Sequence, residues 1–218
     1  MKIELTRKRL CHRLTIQGWL LVLFALTMLV AVYLSVAQRF LAVSEPIDTK
    51  IMILEGWISD AEVSQAMQTL KNKNYNFLLI TGAPVTKGGA LAPYHDYAEL
   101  TLENLKKQGY TANNIIAIPV KLVRKDRTYA SAVEVKTWLE QHNRSPAALN
   151  IFTSGAHARR TRLLYRKAFG EKTEIGIVAL ENPDYNPDHW YTSSNGVRVV
   201  LGETIAYLYA LLFFHPGM

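Results

Sequence analysis

Cysteine is almost missing from this chain: of 218 residues only Cys11 is one. That excludes an internal disulfide and a thiolate-rich zinc site. The histidines do not fill the gap. His95, His157 and His189 stand at no metal-ligand spacing, so no metal is expected. Glycine-rich phosphate loops are missing too. The turn after the first predicted strand, LEGWIS at residues 54–59, lacks G-x-G-x-x-G, which argues against a dinucleotide oxidoreductase. Lys87-Gly88-Gly89 has neither the spacing nor the Ser/Thr of a P-loop and reads as a flexible loop, with a lid beside the strand ends as the alternative. Ser154 lacks the G-x-S-x-G elbow of a serine hydrolase. No cofactor is therefore expected. Nor is nucleic acid, because no dense basic stripe interleaves with aromatics.

The most informative absence is charge. Residues 14–38 carry none, and residues 19–37 are almost wholly apolar. About 20 helical residues cross the ~30 Å hydrocarbon core of a bilayer, so this run is long enough. Much of the net charge of +7 lies before it, in Lys2, Arg7, Lys8, Arg9 and Arg13 against Glu4 alone. The positive-inside rule then leaves the N-terminus in the cytoplasm and exports the chain beyond the apolar run. A cleaved signal peptide is the rival, since Ser35-Val36-Ala37 fits a small-x-small site. The length of the apolar run favours a retained anchor. Cys11 precedes this run, so it is read as an ordinary thiol and not as a lipoprotein cysteine. The expected organisation is a basic cytoplasmic tail at 1–15, an anchor at 16–38, a linker at 39–49 and an exported domain at 50–214.

Within that domain, apolar runs alternate with helical patterns. Strands are expected at residues 50–54, 77–81, 115–120, 149–153 and 175–180. Helices are expected at 59–73, 94–108, 128–142, after 153, and at 197–214. Ser59-Asp-Ala-Glu62 reads as a capping box opening the first of these helices. Continuous apolar strands alternating with helices predict an α/β fold, a three-layer Rossmann-like parallel sheet of about five strands. Ligands of such sheets bind outside the carboxyl ends of the strands. The last helix is apolar except for Arg198, Glu203 and Thr204, and is expected to pack on the sheet with room for contact at a membrane surface.

Polar residues come after each strand, and Glu55 after the first is a proton-transfer group, a binder of a ligand hydroxyl, or a surface carboxylate capping a loop. After the fourth strand the chain reads TSGAHARRTRLLYRKAFG, residues 153–170. Helical spacing puts His157, Arg160, Thr161, Leu164 and Ala168 on one face and Arg159, Arg162 and Arg166 on the other. The second trio is expected to be a solvated surface. His157 and Arg160 sit in the first turn, where helix N–H groups and a guanidinium would suit an anion. The plainer role for His157 is a helix cap or core residue.

The T-S-x-x-H-x-x-R block of Thr153, Ser154, His157 and Arg160, Thr81-Gly82 after the second strand, and Arg127-Thr128 opening the third helix resemble the ElyC/SanA/YdcF family of bacterial envelope-associated Rossmann-like proteins. The resemblance covers residues 50–212. It implies a bacterial plasma-membrane protein acting in envelope polysaccharide, peptidoglycan or polyprenyl-phosphate metabolism. By position it implies a site of Glu55, Gly56, Thr81, Gly82, Glu99, Thr128, Ser154, His157 and Arg160, to which Arg127 is added here. Two departures stand out: Glu55-Gly56 replaces the family's Gly-Gly, and Ala130-Ser131 replaces its Glu-Asn. The expected function is binding of a phosphate-bearing small molecule or lipid-linked precursor by an exported domain, with Glu55 and His157 catalytic if it is an enzyme. The alternative is a non-catalytic scaffold that binds envelope-assembly proteins.

Overall fold

The computed structural model describes residues 14–72, 75–86 and 93–216, so the basic tail before residue 14, with Cys11, and Lys87-Gly88-Gly89 lie outside the described residues. The chain divides into two units, Met1–Val36 and Ala37–Met218. The first is the body of helix α1 (Ile16–Leu41), which is long and apolar enough to cross a membrane. Its Thr27 and Ser35 hydroxyls donate back to the carbonyls of Leu23 and Ala31, both at 2.9 Å, so these polar groups are satisfied within the helix.

The second unit contains β1 (Ile51–Glu55), α2 (Asp60–Asn72), β2 (Phe77–Gly82), α3 (Tyr97–Lys107) and β3 (Ile115–Pro119). It continues with α4 (Arg127–Gln141), β4 (Ala148–Ser154), α5 (Ala158–Phe169), β5 (Glu174–Leu180) and α6 (Ser194–Leu212). The five strands are all parallel, in the order β3-β2-β1-β4-β5. This is the three-layer Rossmann-like sheet that the alternation predicts. Alternate strand residues feed opposite cores. Met52, Leu54, Leu78, Ile80 and Phe152 face Val63, Met67, Ala98 and Leu105 of α2 and α3. Ile53, Leu79, Ile151 and Ile177 face Val135, Leu139, Ala158 and Tyr165 of α4 and α5.

The capping box forms as expected. Glu62 Oε2 accepts from the Ser59 backbone N–H at 2.9 Å and from its hydroxyl at 2.7 Å, while Glu62 N–H turns to Ser59 Oγ at 3.4 Å. Ser59→Ala is expected to lower stability by about 1 kcal/mol in thermal or denaturant unfolding.

The stretch read as a linker is tied into the domain. Its ties are backbone groups and one buried amide, which a polar, Pro-containing sequence does not advertise. Glu45 and Ile177 exchange backbone hydrogen bonds of 2.8 and 3.1 Å, and Ser44 Oγ accepts from Ala179 N–H at 3.3 Å. Asn150, fully buried in β4, accepts from Ile47 N–H at 3.0 Å and donates to Ile47 O at 2.8 Å and to Tyr75 Oη at 2.9 Å. The amide acts as a short piece of strand. It reaches Ile47 because the intervening residue is Gly176, where an added Cβ would lie 2.0 Å from Asn150 Oδ1.

The arginine trio also departs from expectation. Arg166 is exposed, but Arg159 lies 3.9 Å over the Phe40 ring and donates to Phe40 O. Arg162 donates to Ile175 O at 3.0 Å and pairs with Glu45. Two of the three therefore fasten residues 40–45 to α5 and β5, because that segment presents carbonyls and a carboxylate where open solvent was expected.

Candidate functional site

The strand order reverses between β1 and β4, since β2 and β3 lie to one side and β5 to the other. At such a switch point the loops diverge and leave a crevice. Here that crevice is a cleft of about 680 Å³, lined in part by Glu55, Trp57, Arg127, Thr128, His157 and Arg160, with Glu203 behind them.

Glu55 is the last residue of β1, and its carboxylate is almost wholly buried, accepting a short hydrogen bond from Thr153 Oγ1 on the neighbouring strand. After β4, Gly155–His157 makes one 3-10 turn before α5 begins. That turn sets His157 at the cleft wall with Nε2 3.8 Å from Glu55 Oε2 and 3.4 Å from Thr128 Oγ1. Trp57 meets the imidazole edge-on, the ring centres 5.0 Å apart.

The other ring nitrogen is held by a residue that the sequence reading leaves in the apolar final helix. Glu203 Oε1 is 2.9 Å from His157 Nδ1. Two lone pairs do not face one another at that distance, so Nδ1 carries the proton and donates to Glu203. Arg160 Nη2 is also 2.9 Å from Nδ1, but its proton goes to Glu203 Oε1 at 3.0 Å, and its Nε donates to Oε2 at 2.7 Å. Arg160 therefore grips Glu203 with a two-toothed fork. Burial pushes the Glu203 carboxyl up, but His157 and Arg160 outweigh it and bring its pKa down to about 2. With Nδ1 committed, Nε2 is the nitrogen that faces Glu55, Thr128 and the cleft. A carboxylate that fixes the imidazole tautomer and leaves Nε2 free is the arrangement a general base requires.

The expected site residues fall into two groups. Glu55, Arg127, Thr128, His157 and Arg160 come together at the cleft. Gly56, Thr81, Gly82, Glu99 and Ser154 do not line it. The two glycines admit α3: a Cβ would lie 2.7 Å from Tyr97 O on Gly56 and 2.4 Å from Ala98 N on Gly82. Gly56 O further accepts from Thr101 Oγ1 at 2.8 Å. Thr81 pairs with Glu55 in register, and its hydroxyl is buried with no hydrogen-bond partner among the described residues. Glu99 stands in the first turn of α3, its N–H taken by Asp96 Oδ1 at 2.8 Å. Ser154 Oγ accepts from Asn182 Nδ2 at 3.1 Å.

The rim is cationic. Arg124, Lys125 and Arg127 line the cleft mouth beside Asp126, whose backbone is left-handed at φ 56° as the chain turns into α4. Leu164, Ala206, Tyr209, Ala210 and Phe214 give the cleft an apolar wall. Among the described residues no group of His, Cys, Asp and Glu side chains is placed to hold a metal ion.

The chain matches no family model, and no curated protein matches it.

Proposed function

We propose that this protein is a membrane-anchored enzyme of the bacterial cell envelope that binds a phosphate-bearing ligand in the cleft and transfers a proton on it through His157. The observation that carries the reading is the Glu203–His157 pair at the strand switch point, with Nε2 turned to the cleft and to Glu55. Arg160 serves the pair by holding Glu203, so the anion falls to Arg124, Lys125 and Arg127 at the mouth. His157 Nε2 takes a proton from the attacking water as its oxygen bonds to phosphorus, and returns it to the ester oxygen that leaves as the P–O bond breaks. Glu55, close behind it, steadies the imidazolium that forms. Thr128 Oγ1, in reach of both Nε2 and Arg160, orients the reacting group.

The apolar wall of Tyr209, Ala210 and Phe214 supports a ligand with an apolar part, as a lipid-linked phosphate has. The basic residues before α1 support a cytoplasmic N-terminus and an exported domain at the plasma membrane. The resemblance to the ElyC/SanA/YdcF proteins supports an envelope role.

The test pairs binding with turnover on the detergent-solubilised full chain. Pyrophosphate at 100 times its dissociation constant should stabilise the protein by about 2.7 kcal/mol, read as a rise in Tm. The rise should disappear in Arg124→Ala/Arg127→Ala and persist in His157→Gln. Release of phosphate from soluble phosphoesters should be lost in His157→Gln. Binding without turnover in the wild type would leave a scaffold with a ligand-sensing cleft. No rise with phosphate, pyrophosphate or a sugar phosphate would end the phosphate reading.

A further inference from the structure

Between Arg198 and His215 the chain carries one charge, Glu203, and that carboxylate is turned inward to His157. A helix apolar on every side normally lies buried in protein or lipid. α6 is neither wholly buried nor long enough to span: residues 199–214 measure about 24 Å as a helix, short of a ~30 Å core. Its inner side, with Gly196, Val200, Glu203 and Ala210, packs on the domain. Its outer side is a stripe of Leu201, Ile205, Leu208 and Leu212, spaced four, three and four residues apart. Ile205 is 70 % exposed and Leu212 58 %, and Phe213, just past the helix, is 72 % exposed. Single exposed leucines are ordinary; a continuous row without a charge marks a surface that something covers.

We propose that the lipid bilayer covers it, with α6 lying along the membrane surface as a second contact beside the anchor. Chain connectivity argues for lipid. Phe40 comes four residues after the first unit, at most about 14 Å of chain from Val36, and its ring meets Tyr207 of α6 edge-on with centres 5.7 Å apart. Tyr207 shares the inner face with Val200 and Glu203, so α6 packs on the residues that directly follow the apolar segment, and the stripe lies on the other side of that same helix. Tyr209, exposed beside the stripe at four residues from Ile205 and three from Leu212, is of the aromatic type that settles at the lipid–water boundary. Arg39 and Arg159 flank Phe40 and provide cations at headgroup depth. The polar face that an interfacial helix ordinarily turns to water is replaced by the domain on which α6 packs.

This inference rests on the reading of α1 as an anchor, and the experiment separates the two. The full chain in a Cys11→Ser background is reconstituted into phosphatidylcholine/phosphatidylglycerol vesicles with a single nitroxide at Ile205→Cys. Leu26→Cys in α1 and Lys121→Cys, a solvated position after β3, serve as references, and Leu208→Cys repeats the measurement on the stripe. The readout is collision with oxygen, which concentrates in lipid, against a water-soluble nickel chelate. Ile205 and Leu208 should behave as Leu26 does in favouring oxygen, while Lys121 favours the chelate. If Ile205 and Leu208 behave as Lys121 while Leu26 stays in lipid, the stripe is aqueous and the proposal falls with the anchor intact. If Leu26 also favours the chelate, the anchor reading fails and takes this one with it. Dipolar broadening at Ile205 that fades on dilution with unlabelled protein shows a second copy on the stripe, and likewise overturns the bilayer assignment.

Discussion

Replacing Glu203 by glutamine is expected to destabilise the protein by about 3 kcal/mol at neutral pH. The carboxylate sits behind the cleft and accepts from both His157 and the Arg160 fork. Glutamine keeps the shape but removes the charge, leaving the Arg160 guanidinium, mostly sheltered from water, without its counter-ion. Breaking one side of a buried pair costs far more than the pair contributes. The pH dependence gives an independent check. Glu203 has its pKa lowered from 4.5 to about 2 in the folded protein. A carboxyl depressed on folding stabilises above its unfolded pKa, and that contribution is lost as pH falls from about 4.5 through 2. The wild type should therefore lose about 3 kcal/mol across this window from Glu203 alone. Glu203→Gln should be less stable at pH 7 and should show a correspondingly shallower acid limb in urea unfolding. An unchanged acid limb would mean that the carboxylate is solvated and His157 has no fixed partner.

The second large effect is expected at Gly176. Alanine there puts a methyl group 2.0 Å from Asn150 Oδ1, and also within 2.9 Å of the Ile47 side chain. Either the amide gives up its bonds to Ile47 or the 44–47 segment lifts from β5. Overpacking of this kind costs about 1–3 kcal/mol, and the lost hydrogen bonds of a fully buried amide add to it. Asn150→Ala should itself cost about 3 kcal/mol, because Ile47 N–H, Ile47 O and Tyr75 Oη lose their partner together. The two changes should not sum. Once Asn150 is alanine, the new methyl has nothing to strike at its closest point, so the double variant should be markedly less destabilised than the sum of the singles. A double-mutant cycle in denaturant reads that coupling directly, and additivity would show that the strap is held by something else.

How much of this is legible in the sequence depends on the range of each interaction. The strands are readable because each alternates between two cores within five or six residues, and the capping box because it closes within four. The two faces of α5 are readable by counting, down to the buried Thr161, Leu164 and Ala168. Position just past the carboxyl end of a strand is enough to point His157 and Glu55 toward the cleft. Glu203 is not legible in this way, since nothing 46 residues downstream in an apolar helix announces that it returns to His157. A single acid in such a helix is the available sign, because an unpaired carboxylate is rarely kept there. The docking of residues 40–47 is hidden for a different reason. Its partners are mostly backbone groups, and side-chain patterns carry no record of them. A glycine inside a buried strand is the one clue, marking a place where another part of the chain must come close.

That docked segment also decides how the sheet can meet other molecules. The outermost strand of an open sheet is a template on which a foreign strand can grow, the usual start of edge-to-edge aggregation. On β5 four outward groups are spoken for: Ile175 O by Arg162, both groups of Ile177 by Glu45, and Ala179 N–H by Ser44. The opposite border, β3, is five residues long and ends in Pro119, which has no N–H to offer. The docked segment therefore blocks growth along the middle of β5, and the remaining border, β3, offers a template of only five residues that ends at a proline.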